Sequence, residues 1–238
     1  MKALIIAAGS ASRFGELTLD TPKSLLSIND KYLIQWVMDS LIEGGVSGIY
    51  ITVGYKGEKI RKAIQDNYRG VAIHYIDNSS WEKGDLTSLY VAKEYLDGDF
   101  ILSMSEHLFD PTIVNDIIHT SSETTVLLAV DRKYQQVDDD MKVLVEGKFI
   151  KNIGKNIVDS YINTGLFKMK RKIFEYSRKV IESGQYRLYL AVLEAAKNRD
   201  AKIMDINRRF WIDIDTQSEL NSYYVQKFPD FLKNKRWD

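Results

Sequence analysis

Short β-rich runs alternate with amphipathic helical patterns through the first half of this chain, and that alternation restricts the fold more than any other feature. The runs at residues 3–7, 49–53, 71–76 and 100–104 are apolar, rich in β-branched residues and too short for buried helices, so they read as buried strands. Ile34, Val37, Met38, Leu41 and Ile42 share one helical face, and the pattern stops at Gly44-Gly45, where a glycine C-cap ends a helix. Ile60, Ala63, Ile64 and Tyr68 form the face of a second helix; Leu86, Leu89, Tyr90, Lys93 and Leu96 form that of a third. Asp110-Pro111 reads as an N-cap followed by proline at the first helical position, opening a helix to about Thr120. Strands that alternate with helices pair in parallel through right-handed crossovers, because a parallel partner cannot be reached by a tight turn.

The second half is less regular. Residues 124–130 read as a strand, and residues 142–153 as a hairpin turning at Gly147, which adds antiparallel strands to the sheet. Helices are expected at about 171–183 and 188–197, a strand at 202–206 and a last helix from about Gln217. No proline- or glycine-rich linker, repeat or low-complexity stretch divides the chain, and 45% apolar residues suffice for one large core. One mixed-sheet α/β domain over residues 1–238 is the expectation.

Composition removes several functions. Lysine and arginine total 33, aspartate and glutamate total 33, so no global field recruits nucleic acid or an anionic membrane. Any anionic ligand is therefore held by local groups. The absence of cysteine excludes disulfides, thiolate nucleophiles and cysteine-ligated zinc. His74, His107 and His119 are too scattered to form a metal motif, and His74, within a strand, reads as structural. The N-terminal apolar run is too short for a signal peptide, and no run approaches the ~20 residues of a membrane span. A soluble, cytoplasmic protein is expected, with the basic stretch 233–236 as a solvated terminus.

Open α/β sheets bind ligands beyond the carboxyl ends of their strands, which draws attention to the loop after the first run. It reads Ala7-Ala8-Gly9-Ser10-Ala11-Ser12-Arg13-Phe14-Gly15, followed by Thr21-Pro22-Lys23-Ser24-Leu25-Leu26. Small residues let the backbone approach a phosphate chain, and successive N–H groups can donate to its oxygens. Arg13 and Lys23 supply positive charge. A dinucleotide fingerprint would need glycine where Ala11 stands, and a Walker A loop would need Gly-Lys-Ser/Thr, which is missing.

The pattern Ala7-Ala8-Gly9, Arg13, then Thr21-Pro22-Lys23-Ser24-Leu25 resembles the two-part signature of the sugar-phosphate nucleotidyltransferase superfamily. The likeness continues through Val53-Gly54-Tyr55-Lys56, Thr87-Ser88-Leu89 and residues 100–110. Within that superfamily, Ala129-Val130-Asp131-Arg132, Met141-Lys142-Val143, Gly147-Lys148-Phe149-Ile150, Ile153-Gly154-Lys155 and Asn163-Thr164-Gly165-Leu166-Phe167 resemble the inositol-1-phosphate cytidylyltransferases. Cytidylyltransferases for phosphocholine and other small phosphates come next. The resemblance implies the nucleotide-diphospho-sugar transferase type of α/β fold, a Rossmann-like three-layer sandwich with a mixed, mainly parallel central sheet.

It also implies a reaction. An oxygen of the inositol 1-phosphate acceptor would attack the α-phosphorus of CTP in line, giving CDP-inositol and pyrophosphate without a covalent intermediate. Such chemistry rests on positioning and charge neutralisation. By the resemblance, Arg13 neutralises the β- and γ-phosphates and Lys23 sits at the α-phosphate. Ala7, Ala8 and Gly9, with Gly84 and Ser88 from a later loop, surround the nucleotide. Mg²⁺ is held by Glu106 and Asp213, with Asp215 a third candidate. Lys142 and Lys155 match positions near the acceptor phosphate. A membrane-bound phosphatidyltransferase would receive the product, this chain being the stand-alone soluble form, and the oligomeric state stays open.

Two positions depart from the family. Glu106 stands where aspartate is usual, and its extra methylene moves the carboxylate by ~1.5 Å. Asn163 stands where relatives often carry aspartate. These departures keep three alternatives in view: a phosphocholine or other small-phosphate cytidylyltransferase, a sugar-1-phosphate nucleotidylyltransferase, and a catalytically weak nucleotide-binding homologue.

Overall fold

The computed structural model of the chain describes residues 1–10, 12–132, 140–158, 160–222 and 227–228, with the backbone alone at Ser12, Arg13 and Leu17. Ala11 and the basic stretch 233–236 lie outside the described residues. The first strand, β1 (Lys2–Ala7), is followed by a small hairpin of β2 (Ser27–Ile28) and β3 (Lys31–Tyr32), then α1 (Leu33–Glu43) and β4 (Gly48–Val53). Next come α2 (Gly57–Ile64), β5 (Asn67–Tyr68), β6 (Val71–Asp77), α3 (Asp85–Tyr90), β7 (Phe100–Met104), β8 (His107–Phe109) and α4 (Pro111–His119). The remainder runs β9 (Val126–Asp131), β10 (Lys142–Glu146), β11 (Phe149–Gly154), β12 (Tyr161–Met169), α5 (Ile173–Glu182), α6 (Leu188–Lys197), β13 (Ala201–Asp205), β14 (Trp211–Asp213) and α7 (Gln217–Leu220).

The main sheet is mixed, in the order β10-β11-β13-β9-β12-β7-β1-β4-β6-β5. Strands β7, β1, β4 and β6 are parallel, as the β–α alternation predicts. β12 then runs antiparallel to both β7 and β9, while β13 is parallel to β9. β10 pairs with β11 and also with β12, so this half of the sheet curls back on itself.

Alternation along β1 explains the layers. Ala3 and Ile5 face one core with Leu33, Val37 and Leu41 of α1 and Ile113 and Ile117 of α4. Leu4 and Ile6 face the other, with Leu86 and Leu89 of α3, Ile173 of α5 and Ala191 and Ala195 of α6. A strand buried on both faces belongs at the centre of the sheet, and helices on both sides make the three-layer α/β sandwich. The order of chain crossings carries the C-terminal ends of β1, β4 and β7 to one edge, where the site lies.

Several local expectations are corrected. Tyr68 does not continue the second helix: Gln65 has a left-handed φ of 62°, α2 ends at Ile64, and Tyr68 pairs with Val71 across a turn. Gly44 is right-handed at φ −75°, and Gly45 is the left-handed residue. Gly44 is required for space instead, because a Cβ there would fall 2.5 Å from Cβ of Val114 on α4. Asp110 caps α4 as expected, its carboxylate accepting from the Thr112 amide at 2.9 Å. The nine-residue β12 was legible only as a motif, since the Thr164-Gly165 step breaks its apolar alternation. The three-residue strands β8 and β14 were invisible, being too short for any periodicity.

Candidate active site

At the end of β1, Ala7 and Ala8 are buried, and Gly9 is exposed with open space where a side chain would be. The Ala8 carbonyl accepts from the Tyr55 amide at 2.9 Å, tying the ends of β1 and β4 together. Arg13 lies on the helical turn Ser12–Thr18 that follows; its side chain is outside the described residues. The far half of the loop is pinned from the β4–α2 junction. The Leu19 carbonyl accepts from the Tyr55 hydroxyl at 2.7 Å and the Lys56 ammonium at 2.6 Å, and Lys56 and Lys59 both bind the Asp20 carboxylate at 2.7 Å. Those two ammoniums hold the Asp20 carboxyl down to about 2. The Val53-Gly54-Tyr55-Lys56 run had no assigned task in the sequence, and its nearness in space to the loop supplies one.

Pro22 then directs the chain into a short turn that buries Lys23. Its ammonium lies 3.2 Å from Glu106 Oε1 and 2.5 Å from Asp215 Oδ1, and 5.6 Å from the centre of the Phe14 ring. Burial pushes this amine down, but Glu106, Asp213 and Asp215 together outweigh it and raise the amine above its ordinary value. Lys23 is therefore a charged ammonium held among three carboxylates.

Glu106 lies just beyond β7, after Ser105, and its second oxygen accepts from the Ser105 hydroxyl. His107 opens β8, opposite Asp213 of β14 in the antiparallel register. Its Nε2 is 3.1 Å from Asp213 Oδ1, and its Nδ1 donates to the Thr164 carbonyl at 2.7 Å. Burial disfavours the charged ring, yet the Asp213 carboxylate, then Glu106 and the Thr164 carbonyl, raise it to about 9. Asp215 sits just before α7, its amide donating to Glu219 Oε2 at 2.7 Å beside the Thr216–Glu219 capping box. Thr216 and Glu219 build the cap at the start of α7, leaving the Asp215 carboxylate for Lys23.

The remaining sequence candidates lie around this cluster. A Cβ on Gly84 would fall 2.4 Å from the Tyr186 carbonyl oxygen, so that glycine permits close backbone packing at the start of α3. Ser88 is buried, its hydroxyl accepting from Asn78 Nδ2 at 2.9 Å, which anchors α3 to the end of β6. Lys142 is buried and donates to the Lys155 carbonyl at 2.9 Å, while the Lys155 side chain is exposed. Lys142 pairs with Ile162, and Ile162 with Asp131, which places this pair of lysines at the same sheet edge, on the β12 side of Glu106. The Trp211 indole donates to Asp131 at 2.9 Å, fastening β14 to β9.

Among the described residues no group of three or more His, Cys, Asp or Glu side chains is arranged to hold a metal ion. Mg²⁺ is usually held by one or two carboxylates together with phosphate oxygens and water. Glu106 and Asp213, both close enough to raise the Lys23 amine, are hard oxygen donors of that kind, and they fit an ion that arrives with a nucleotide.

Residues 3–137 match the MobA-like NTP transferase domain. The chain belongs to that family. This NTP transferase is 30% identical over 222 residues to the bifunctional IPC transferase and DIPP synthase of Aquifex aeolicus, covering 92% of this chain and 50% of the relative. It is 33% identical over 121 residues to the choline-phosphate cytidylyltransferase of Streptococcus pneumoniae, covering 51% and 52%. Among solved structures, the inositol-1-phosphate CTP transferase from T. maritima superposes with a TM-score of 0.85 at 26% identity, over 100% of this chain and 98% of that one. The chain spans about half the length of the curated relatives it matches. The matched segment contains the loop, Lys23 and Glu106, whereas Lys142, Lys155, Asp213 and Asp215 come from beyond it. Among the described residues no helix is long and apolar enough to cross a membrane.

Proposed function

We propose that residues 1–238 of this NTP transferase form one nucleotidyltransferase domain that acts in the cytoplasm and moves CMP from CTP to inositol 1-phosphate, releasing pyrophosphate and CDP-inositol. The observation that carries the reading is the buried Lys23 ammonium among Glu106, Asp213 and Asp215, at the end of β1 and beside the small-residue loop. Full-length similarity to the inositol-1-phosphate CTP transferase from T. maritima supports the choice of nucleotide and acceptor.

In this reading the triphosphate lies along residues 7–10, where backbone amides donate to its oxygens, and Arg13 neutralises the leaving pyrophosphate. Lys23 exchanges a carboxylate partner for an oxygen on the α-phosphorus, where negative charge redistributes as the acceptor attacks. Glu106 and Asp213 would hold Mg²⁺, which when bound adds charge neutralisation across the triphosphate. The acceptor is already an ionised phosphate, so no side chain need remove a proton from it. Lys142 and Lys155 would receive that phosphate at the β10–β12 side of the edge, the Lys142 ammonium leaving the Lys155 carbonyl to do so. Gly84 and Ser88 shape the base side through the α3 start rather than through a free hydroxyl. A membrane-bound phosphatidyltransferase is the partner that would consume the product.

The test is pyrophosphate release with CTP, UTP, ATP and GTP against inositol 1-phosphate, phosphocholine and glucose 1-phosphate. CTP with inositol 1-phosphate should be the preferred pair. Turnover of phosphocholine or glucose 1-phosphate without inositol 1-phosphate would reassign the acceptor, and preference for ATP or GTP would overturn the cytidylyl reading.

A further inference from the structure

His107 is held on both sides by groups from different parts of the fold. Nδ1 donates to the Thr164 carbonyl at 2.7 Å, and Nε2 is 3.1 Å from Asp213 Oδ1. The Thr164 carbonyl is available because β12 bulges: from Asn163 to Phe167 it advances four residues while β9 advances two, from Val130 to Leu128. The bulge is itself braced. The Thr164 hydroxyl donates to the Ala129 carbonyl at 2.9 Å, the Gly165 amide to Asn163 Oδ1 at 2.8 Å, and the Asn163 amide to the Met141 carbonyl at 2.8 Å. Gly165 has φ 76°, and a Cβ there would fall 2.3 Å from His107 Nδ1, so the ring fits against backbone that no other residue could offer.

A flat ring with nitrogens on two sides, wedged between a braced carbonyl and a carboxylate, has little rotational freedom left. Asp213 stands on a three-residue strand whose partner is β8, an assembly too small to orient a side chain by itself. We propose that His107 is a positioning residue that transmits the geometry of the β12 bulge to the Asp213 carboxylate, so that the acceptor-side strand sets the orientation of a carboxylate on the nucleotide side. The inference rests on the reading of Asp213 as part of the nucleotide site. Second partners of metal-binding carboxylates and histidines commonly change metal affinity by about 10–100-fold when removed.

Two substitutions separate the two contacts. His107→Asn keeps a donor near the position of Nδ1 and cannot reach Asp213; His107→Gln reaches Asp213 and gives up Thr164. Crystal structures of the wild type and both variants should show the Asp213 carboxylate turned away in His107→Asn and near its original place in His107→Gln. Calorimetric titration of Mn²⁺ into each protein saturated with CTP should show at least about tenfold weaker uptake for His107→Asn and recovery to within about threefold for His107→Gln. An unmoved Asp213 in His107→Asn, equal Mn²⁺ uptake by that variant, or equal impairment of both variants would overturn the proposal. So would failure of both to fold, since His107 would then be a folding residue. A wild type that took up no Mn²⁺ with CTP would sink the functional reading, while the crystal structures would still decide this one.

Discussion

The Lys23 ammonium lies 2.5 Å from Asp215 Oδ1, a contact that joins a turn near the start of the chain to the cap of α7 near its end. Asp215 was the weakest of the three carboxylate candidates in the sequence, yet it lies nearer to that ammonium than Glu106 does. In the proposed reaction a phosphate oxygen must take the place of one of these carboxylates. Asp215→Asn is expected to tighten CTP binding by about three- to tenfold in a calorimetric titration, because the competing anion is gone. Weaker binding in that variant would show that Asp215 serves the nucleotide directly.

Lys23→Met should lower kcat by about 10²–10³ through loss of charge neutralisation in the transition state. It should also reduce stability by about 2–4 kcal/mol in urea unfolding, since Glu106 and Asp215 would stay partly buried without the ammonium. Near-normal turnover would remove Lys23 from the chemistry.

Glu106 uses its length. One oxygen reaches Lys23 at 3.2 Å and the other accepts from Ser105. Glu106→Asp withdraws the carboxylate by ~1.5 Å, so we expect turnover to fall by about tenfold in the pyrophosphate assay rather than rise. A large gain instead would favour the reading of this chain as a catalytically weak homologue.

Tyr55 and Lys56 hold the far half of the loop after β1 by the Leu19 carbonyl. Tyr55→Phe removes one donor and keeps the ring against Trp81, whose centroid is 5.7 Å away. The KM for CTP is expected to rise by about three- to tenfold with kcat changed less than twofold, because a looser loop must be ordered on binding. A change confined to kcat would contradict this role.

Asp200 ties the start of β9 to α5. Its carboxylate accepts from the Thr125 hydroxyl at 2.7 Å and from Lys172 and the Tyr176 hydroxyl at 2.8 Å. Burial would raise this carboxyl, but those donors outweigh it and bring it from 3.8 to about 2. Since the folded value lies below the unfolded one, the contribution is present above pH 3.8 and is lost as pH falls from there towards 2. It amounts to about 1–2 kcal/mol once solvent screening of this partly exposed group is allowed for. Asp200→Asn should therefore cost stability at pH 7 and flatten the acid limb of the unfolding curve by that amount; an unchanged limb would refute the assignment.

How much of this was legible in the sequence differs between the two halves of the site. The loop from Ala7, the Asp110-Pro111 start of α4 and the hairpin at Gly147 all depend on residues within a few positions of one another. Local steric and capping preferences settle such features before the chain has folded. The parallel block of β7, β1, β4 and β6 follows from the same kind of information, because continuous apolar runs between helices leave few other pairings.

Tertiary structure alone decided which side chains meet. Nothing local in His107 or Asp213 specifies that three-residue strands so distant in sequence will pair, and nothing local in Thr164 specifies that its carbonyl will face His107. The bulge in β12, the turn of Asp215 towards Lys23 and the hold of Tyr55 and Lys56 on Leu19 each arise where distant segments are packed against the sheet edge. By itself, the sequence determined the longer elements and the chemical types available at the edge, but not the short strands β8 and β14. The partners of those groups were selected by long-range packing, since a buried charge or carbonyl can be satisfied only by whatever the completed fold brings within reach.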